Sequence, residues 1–169
     1  MIKPAWYTWL HNELGQRELT APGQDNPRIE EYWVLGRVQL RVTDDETPWC
    51  AAAANAALEQ CGYAGTRSGL ARSFAPGPNF MACDARLGAV VVLSSPRGPT
   101  LGHVGLLDAV SATHVRLLGG NQGDAVSIAA FPRARVLHIL WPAKAPAPTN
   151  YPLAPAIDAG ASLKEESDR

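Results

Sequence analysis

Trp49-Cys50-Ala51-Ala52-Ala53-Ala54-Asn55-Ala56-Ala57-Leu58 is the stretch that decides the architecture of this chain. Alanine is the strongest helix former, so the run predicts a helix over 49–61, stopped by Gly62. Its near-continuous small side chains also predict close packing against a neighbouring layer. Everything upstream of it reads as helix or turn, and everything downstream changes period. Residues 4–15 place Trp6, Trp9, Leu10 and Leu14 near a 3.6 period, and Gly15 is a stop. Asn26-Pro27 reads as an N-cap with proline in the first turn of a helix running through Trp33.

After Cys61 the order reverses. Residues 66–84 are rich in glycine and proline, with a short helix expected over 68–74. Five β runs then follow, at 89–93, 104–110, 114–118, 125–128 and 136–140. Short connections make neighbouring strands antiparallel. Helices first and strands afterwards is the α+β pattern, with helices packed on one side of a five-stranded antiparallel sheet. From residue 143 the composition turns proline-rich and loses periodicity, so the domain is expected over 1–142. A tail over 143–169 is then extended or disordered, with docking through Tyr151 and Leu153 as the alternative.

With 169 residues and 46% apolar content, the chain suits one domain with a real core. A net charge of −1 argues against a nucleic-acid binder. No apolar run approaches a membrane span, and the amino terminus lacks a signal-peptide core. Synthesis in the cytoplasm is therefore expected, without membrane association. Three cysteines, at 50, 61 and 83, fit neither a full disulfide framework nor paired zinc thiols. Reduced thiols are expected, with no metal and no other cofactor.

Cys50 stands where helix amides favour a thiolate, the nucleophilic form. Gly102-His103-Val104-Gly105 can supply a base, and Gly119-Gly120-Asn121-Gln122 an orienting amide. A tight turn at Ser111-Ala112 pairs residues whose numbers sum to 223 or 224, which sets His103 opposite Gly120 or Asn121. One residue of slip would turn the side chain to the other face. The expected parts are Cys50 as nucleophile, His103 as base and Asn121 as orienter, with Trp49 a wall of the cleft. Taken singly, each signal has a plainer reading: a small buried thiol, a strand histidine, an ordinary turn. Asp44, Asp45 and Glu46 are acids before a helix start. One of them, with Glu46 the candidate, can also bind an ammonium or amide of a substrate.

Four segments together resemble a bacterial and phage family of cell-wall hydrolases. They are Asp45-Glu46-Thr47-Pro48-Trp49-Cys50, Gly65-Thr66 with Ala71-Arg72-Ser73, Gly102-His103-Val104-Gly105, and Leu118-Gly119-Gly120-Asn121-Gln122. These hydrolases are small papain-like cysteine peptidases related to the NlpC/P60 and CHAP domains. The resemblance spans about residues 4–142 and includes Glu13-Leu14-Gly15 and Asn26-Pro27-Arg28-Ile29. It implies a papain-like fold and cleavage of a peptidoglycan amide bond, in the stem peptide or next to the lactyl group. By similarity Cys50, His103 and Asn121 form the catalytic set. Because related families often carry His, Glu or Gln in the third place, Gln122 is the alternative there and otherwise a substrate contact. The alanine run after Cys50 departs from the larger residues expected in that helix.

Without a signal peptide, action in the periplasm or cell wall would require injection as an antibacterial effector or release as a phage-type lysin. The partners implied are a peptidoglycan peptide, a secretion-system carrier and an immunity protein plugging the cleft. The competing expectations are a cysteine deamidase, transglutaminase or peptidase acting on a cytosolic protein, and a non-catalytic module of the same fold.

Overall fold

The computed structural model describes residues 1–39 and 48–158, which form three α-helices and a six-stranded antiparallel sheet. Helix α1, Ala5–His11, buries Trp6, Tyr7 and Leu10. It is shorter than the 4–15 its periodicity suggests, because the next turns leave the axis and the Gly15 N–H bonds Val126 O at 3.0 Å. Helix α2, Pro27–Leu35, begins as expected: the Asn26 side chain accepts from the Arg28 N–H at 2.9 Å, with proline in the first turn.

Helix α3, Cys50–Gln60, is buried from Cys50 through Leu58. Its alanines let it lie against both the other helices and the sheet, as the sequence leads one to expect. Asn55 is the one polar side chain in that buried run, and it is fully partnered. Its Oδ1 accepts from the N–H groups of Thr66 and Arg67 at 2.7 and 3.1 Å, and its Nδ2 donates to Ser68 O at 3.0 Å. It thereby pins the loop that follows α3.

The strands are β1 (Phe80–Ala82), β2 (Val90–Ser95), β3 (Gly98–Val110), β4 (His114–Gly119), β5 (Ser127–Pro132) and β6 (Val136–Pro142). They are ordered β1-β6-β2-β3-β4-β5. The sheet thus has one strand more than the five expected. Strand β1 pairs with β6 through three residues, too few to show an alternation in sequence. Strand β5 starts later than expected because the Val126 N–H is taken by Gln16 O at 2.8 Å. In the β3–β4 hairpin, Leu106 pairs with Leu118 and Leu107 with Leu117, the 224 register, before a bulge at Asp108 shifts it.

The expected break at residue 143 does not end the ordered packing. Residues 143–158 run along the domain: the Leu87 N–H bonds Pro152 O at 3.1 Å, the Ala154 N–H bonds Ala85 O at 2.8 Å and the Val110 N–H bonds Pro155 O at 2.9 Å. Tyr151 packs on Trp141, ring centroids 5.1 Å apart, and Ile157 is buried. Of the two anchors considered from sequence, Tyr151 docks by its side chain, whereas Leu153 stays exposed and contributes only backbone pairing to Arg86. Repeated prolines removed the periodicity but not the apolar contacts.

Candidate active site

Cys50 is the first residue of α3, so its sulfur sits among helix N–H groups that have no partner within the helix. The residue is 7% exposed, yet it lines a cavity of about 480 Å³ together with Trp33, Pro48, Leu70 and Leu101. Burial pushes the thiol up. The hydrogen bond and charge of His103, with the backbone N–H groups of Val104 and Ala51, outweigh that and hold it below its ordinary value. Helix α3 and strand β3 therefore both deliver donors to the same sulfur.

His103 pairs with Leu93 across β2 and β3 and is 2% exposed. Its Nε2 lies 3.0 Å from Gln122 Oε1. The amide of Gln122 has one way round, because its Nε2 donates to Leu117 O at 3.1 Å and Ser127 O at 2.8 Å. Its oxygen therefore faces the imidazole and must receive a proton, which puts the hydrogen on His103 Nε2 and leaves Nδ1 for the thiol. Phe131 packs against the ring with centroids 5.1 Å apart. The result is that His103 is hydrogen-bonded both to Cys50 and to Gln122.

Comparison with family models, with curated proteins and with solved structures finds no match for this chain.

Each residue of Gly119-Gly120-Asn121-Gln122 has a physical task. A Cβ on Gly119 would stand 2.5 Å from Gln122 Oε1, so glycine leaves room for the amide. A Cβ on Gly120 would stand 2.5 Å from the Trp49 ring and 2.7 Å from Ala53 Cβ, so this glycine lets α3 close on the end of β4. Asn121 adopts φ +57°, a conformation that asparagine tolerates better than most residues. That turn sends the next side chain back toward β3.

Three expectations are corrected by these positions. Asn121 is buried, but its Oδ1 has no hydrogen-bond partner among the described residues; Gln122, not Asn121, is the amide beside the imidazole. Gln122 is correspondingly no substrate contact, being 2% exposed and committed to His103 and two carbonyls. Trp49 does not wall the cleft. It is fully buried, donates from Nε1 to Glu18 Oε1 at 2.9 Å and packs on Tyr32 with centroids 5.8 Å apart. An indole carries an N–H that needs a partner when buried, and the partner lies inward. Glu46, with Asp44 and Asp45, lies outside the described residues.

Trp33, which its sequence context marks as a core or interface residue rather than a ligand platform, lines the cavity, and Asn55 and Glu18, which the sequence does not single out, hold the surrounding loops. A polar asparagine inside an alanine helix was the one available signal. The other thiols differ from Cys50 in direction: burial raises Cys61, and burial together with the charge of Asp84 pushes Cys83 up to about 11. Among the described residues no group of three His, Cys, Asp or Glu side chains could hold a metal, and no helix is long and apolar enough to cross a membrane.

Proposed function

We propose that this chain is a papain-like cysteine hydrolase that cleaves an amide bond of peptidoglycan, acting as an antibacterial effector or phage-type lysin. The observation that carries the enzymatic part is His103 standing between the Cys50 sulfur and the Gln122 oxygen. The choice of peptidoglycan rests on the resemblance of the four motif segments to cell-wall hydrolases.

In this reading the Cys50 thiolate attacks the amide carbon and an S–C bond forms. The N–H of Cys50, in the first turn of α3, is suited to the developing oxyanion, a donor of the kind worth ~10²–10³ in rate. The imidazolium of His103 then protonates the leaving amine as the C–N bond breaks. Water, deprotonated by the same imidazole, hydrolyses the thioester and restores the thiol. Gln122 keeps the ring in the tautomer that both steps need. An immunity protein would act by filling the cavity over Cys50, and a secretion-system carrier or membrane holes would bring the enzyme to the wall.

The apolar character of the cavity favours a second reading. Leu70 and Leu101, 65% and 42% exposed, border it with Trp33 and Pro48, which suits a cysteine peptidase or deamidase taking an apolar side chain of a protein substrate. Incubation with purified sacculi separates the two. Soluble muropeptides seen by mass spectrometry with the wild type, and none with Cys50→Ala, are the expected result. Intact sacculi with both proteins would overturn the peptidoglycan reading, and equal release by both would overturn the role of Cys50.

A further inference from the structure

A buried carboxylate outside the thiol–imidazole–amide line touches both of the segments that form it. Glu18 is 7% exposed and accepts the Trp49 indole N–H at 2.9 Å, and Trp49 immediately precedes Cys50. Its own backbone N–H donates to Asp124 O at 2.9 Å, two residues beyond Gln122. The segment around it is held on two sides. Arg17 bridges to Ala125, the Val126 N–H bonds Gln16 O at 2.8 Å and Arg17 donates to Gly123 O at 3.1 Å. From the other side Asn26, the cap of α2, donates to Arg17 O at 2.9 Å. The far edge of the same indole rests on Gly120, so Trp49 touches the Gly119–Gln122 turn directly while Glu18 holds it from behind.

We propose that Glu18 is a positioning residue that sets the separation between the Cys50 sulfur and the His103 imidazole, by fixing the Trp49 indole against the turn that carries Gln122. It rests on the reading of Cys50 and His103 as a reacting pair, not on the identity of the substrate. A hydrogen bond to a carboxylate is about twice as strong as a neutral one, which suits a joint that must hold the head of a helix in place. Without it the indole N–H loses its carboxylate acceptor in the interior, and the adjustment that restores a partner shifts the first turn of α3 relative to β3. Glu18 stands behind Trp49 and does not line the cavity beside Cys50, so its effect should be read in the state of the thiol.

Alkylation of Cys50 by iodoacetamide reads that state without any substrate, so failure here is distinct from failure of the peptidoglycan assignment. Relative to wild type, Glu18→Ala should slow alkylation at about pH 6 by roughly tenfold, the effect of losing one charge-assisted hydrogen bond. At about pH 9.5, where an ordinary thiol is ionised, the two proteins should agree within about twofold. Glu18→Gln retains the acceptor oxygen and should recover most of the low-pH rate. Trp49→Phe removes the donor and keeps a ring; it should match Glu18→Ala, and the double variant should be no slower than either. A wild-type pH profile in Glu18→Ala, equal slowing at both pH values, or additive losses in the double variant would overturn the proposal. If Glu18→Ala fails to fold, the profile of Trp49→Phe decides by the same criteria.

Discussion

Gln122 Oε1 accepts from His103 Nε2 at 3.0 Å, while Asn121, its neighbour in the chain, keeps a buried Oδ1 without a hydrogen-bond partner among the described residues. Two adjacent amides thus have opposite standing at one site. Gln122→Ala should lower turnover by roughly a hundredfold, the lower range of what an oriented general base contributes. Asn121→Gly should leave turnover within about twofold, since glycine takes the φ of +57° freely and removes an unpaired acceptor. Steady-state kinetics on the two variants checks both outcomes.

The three thiols should be separable by pH. Cys50 lies below the ordinary thiol value because the hydrogen bonds and charge around it outweigh burial, whereas burial pushes Cys61 and Cys83 up, the latter to about 11. Since the thiolate is the reactive form, iodoacetamide at about pH 6.5 should label Cys50 and spare the other two. In His103→Ala the upward push of burial is left with less to oppose it, so labelling of Cys50 should require higher pH. Peptide mass mapping of the labelled protein reads the result.

Packing at the Gly119–Gln122 turn leaves no slack. Gly120→Ala would bring a methyl within 2.5 Å of a fully buried indole, and the indole cannot move without displacing α3. A stability loss of about 1–3 kcal/mol is expected, with reduced turnover in whatever fraction folds. Thermal melting alongside activity per folded molecule measures it.

A bidentate pair joins the turn after α1 to α2 and should show itself in acid. Arg28 donates from Nε and an Nη to the two oxygens of Glu13 at 2.8 and 2.7 Å, and the Tyr32 hydroxyl donates to the same carboxylate at 2.9 Å. The Arg28 hydrogen bonds hold the Glu13 carboxyl below its ordinary value against the opposing effect of burial. A group depressed on folding stabilises above its unfolded pKa of about 4.3, and that contribution disappears as pH falls through the folded value. Glu13→Gln should therefore melt below wild type at neutral pH, and the two curves should converge in strong acid.

Much of this was legible in the chain, and the exceptions have physical causes. The alanine helix, the Asn26 cap and the 224 register of the β3–β4 hairpin all follow from side-chain size, capping and pairing. Register arithmetic sets His103 opposite Gly120 or Asn121, but it holds only while the chain stays in a strand. Strand β4 ends at Gly119, and the left-handed turn at Asn121 hands the contact to the following residue. Trp49 was misplaced because adjacency to a thiol says nothing about where an indole N–H finds its acceptor, here Glu18 from a distant segment. Repeated prolines concealed the docking of residues 143–158, since they erase periodicity while leaving Tyr151 and Ile157 free to pack.

Pairing of the final described residues with Val110 has a practical result. The Ile157 N–H bonds Val110 O at 3.1 Å, at the end of β3 remote from its histidine. At about 3.3 Å per residue along a strand, that point lies roughly 20 Å from the imidazole. Cargo or an affinity handle spliced in after residue 158 would emerge there, so the molecule could be tethered without the tether's root crowding the cavity beside Cys50.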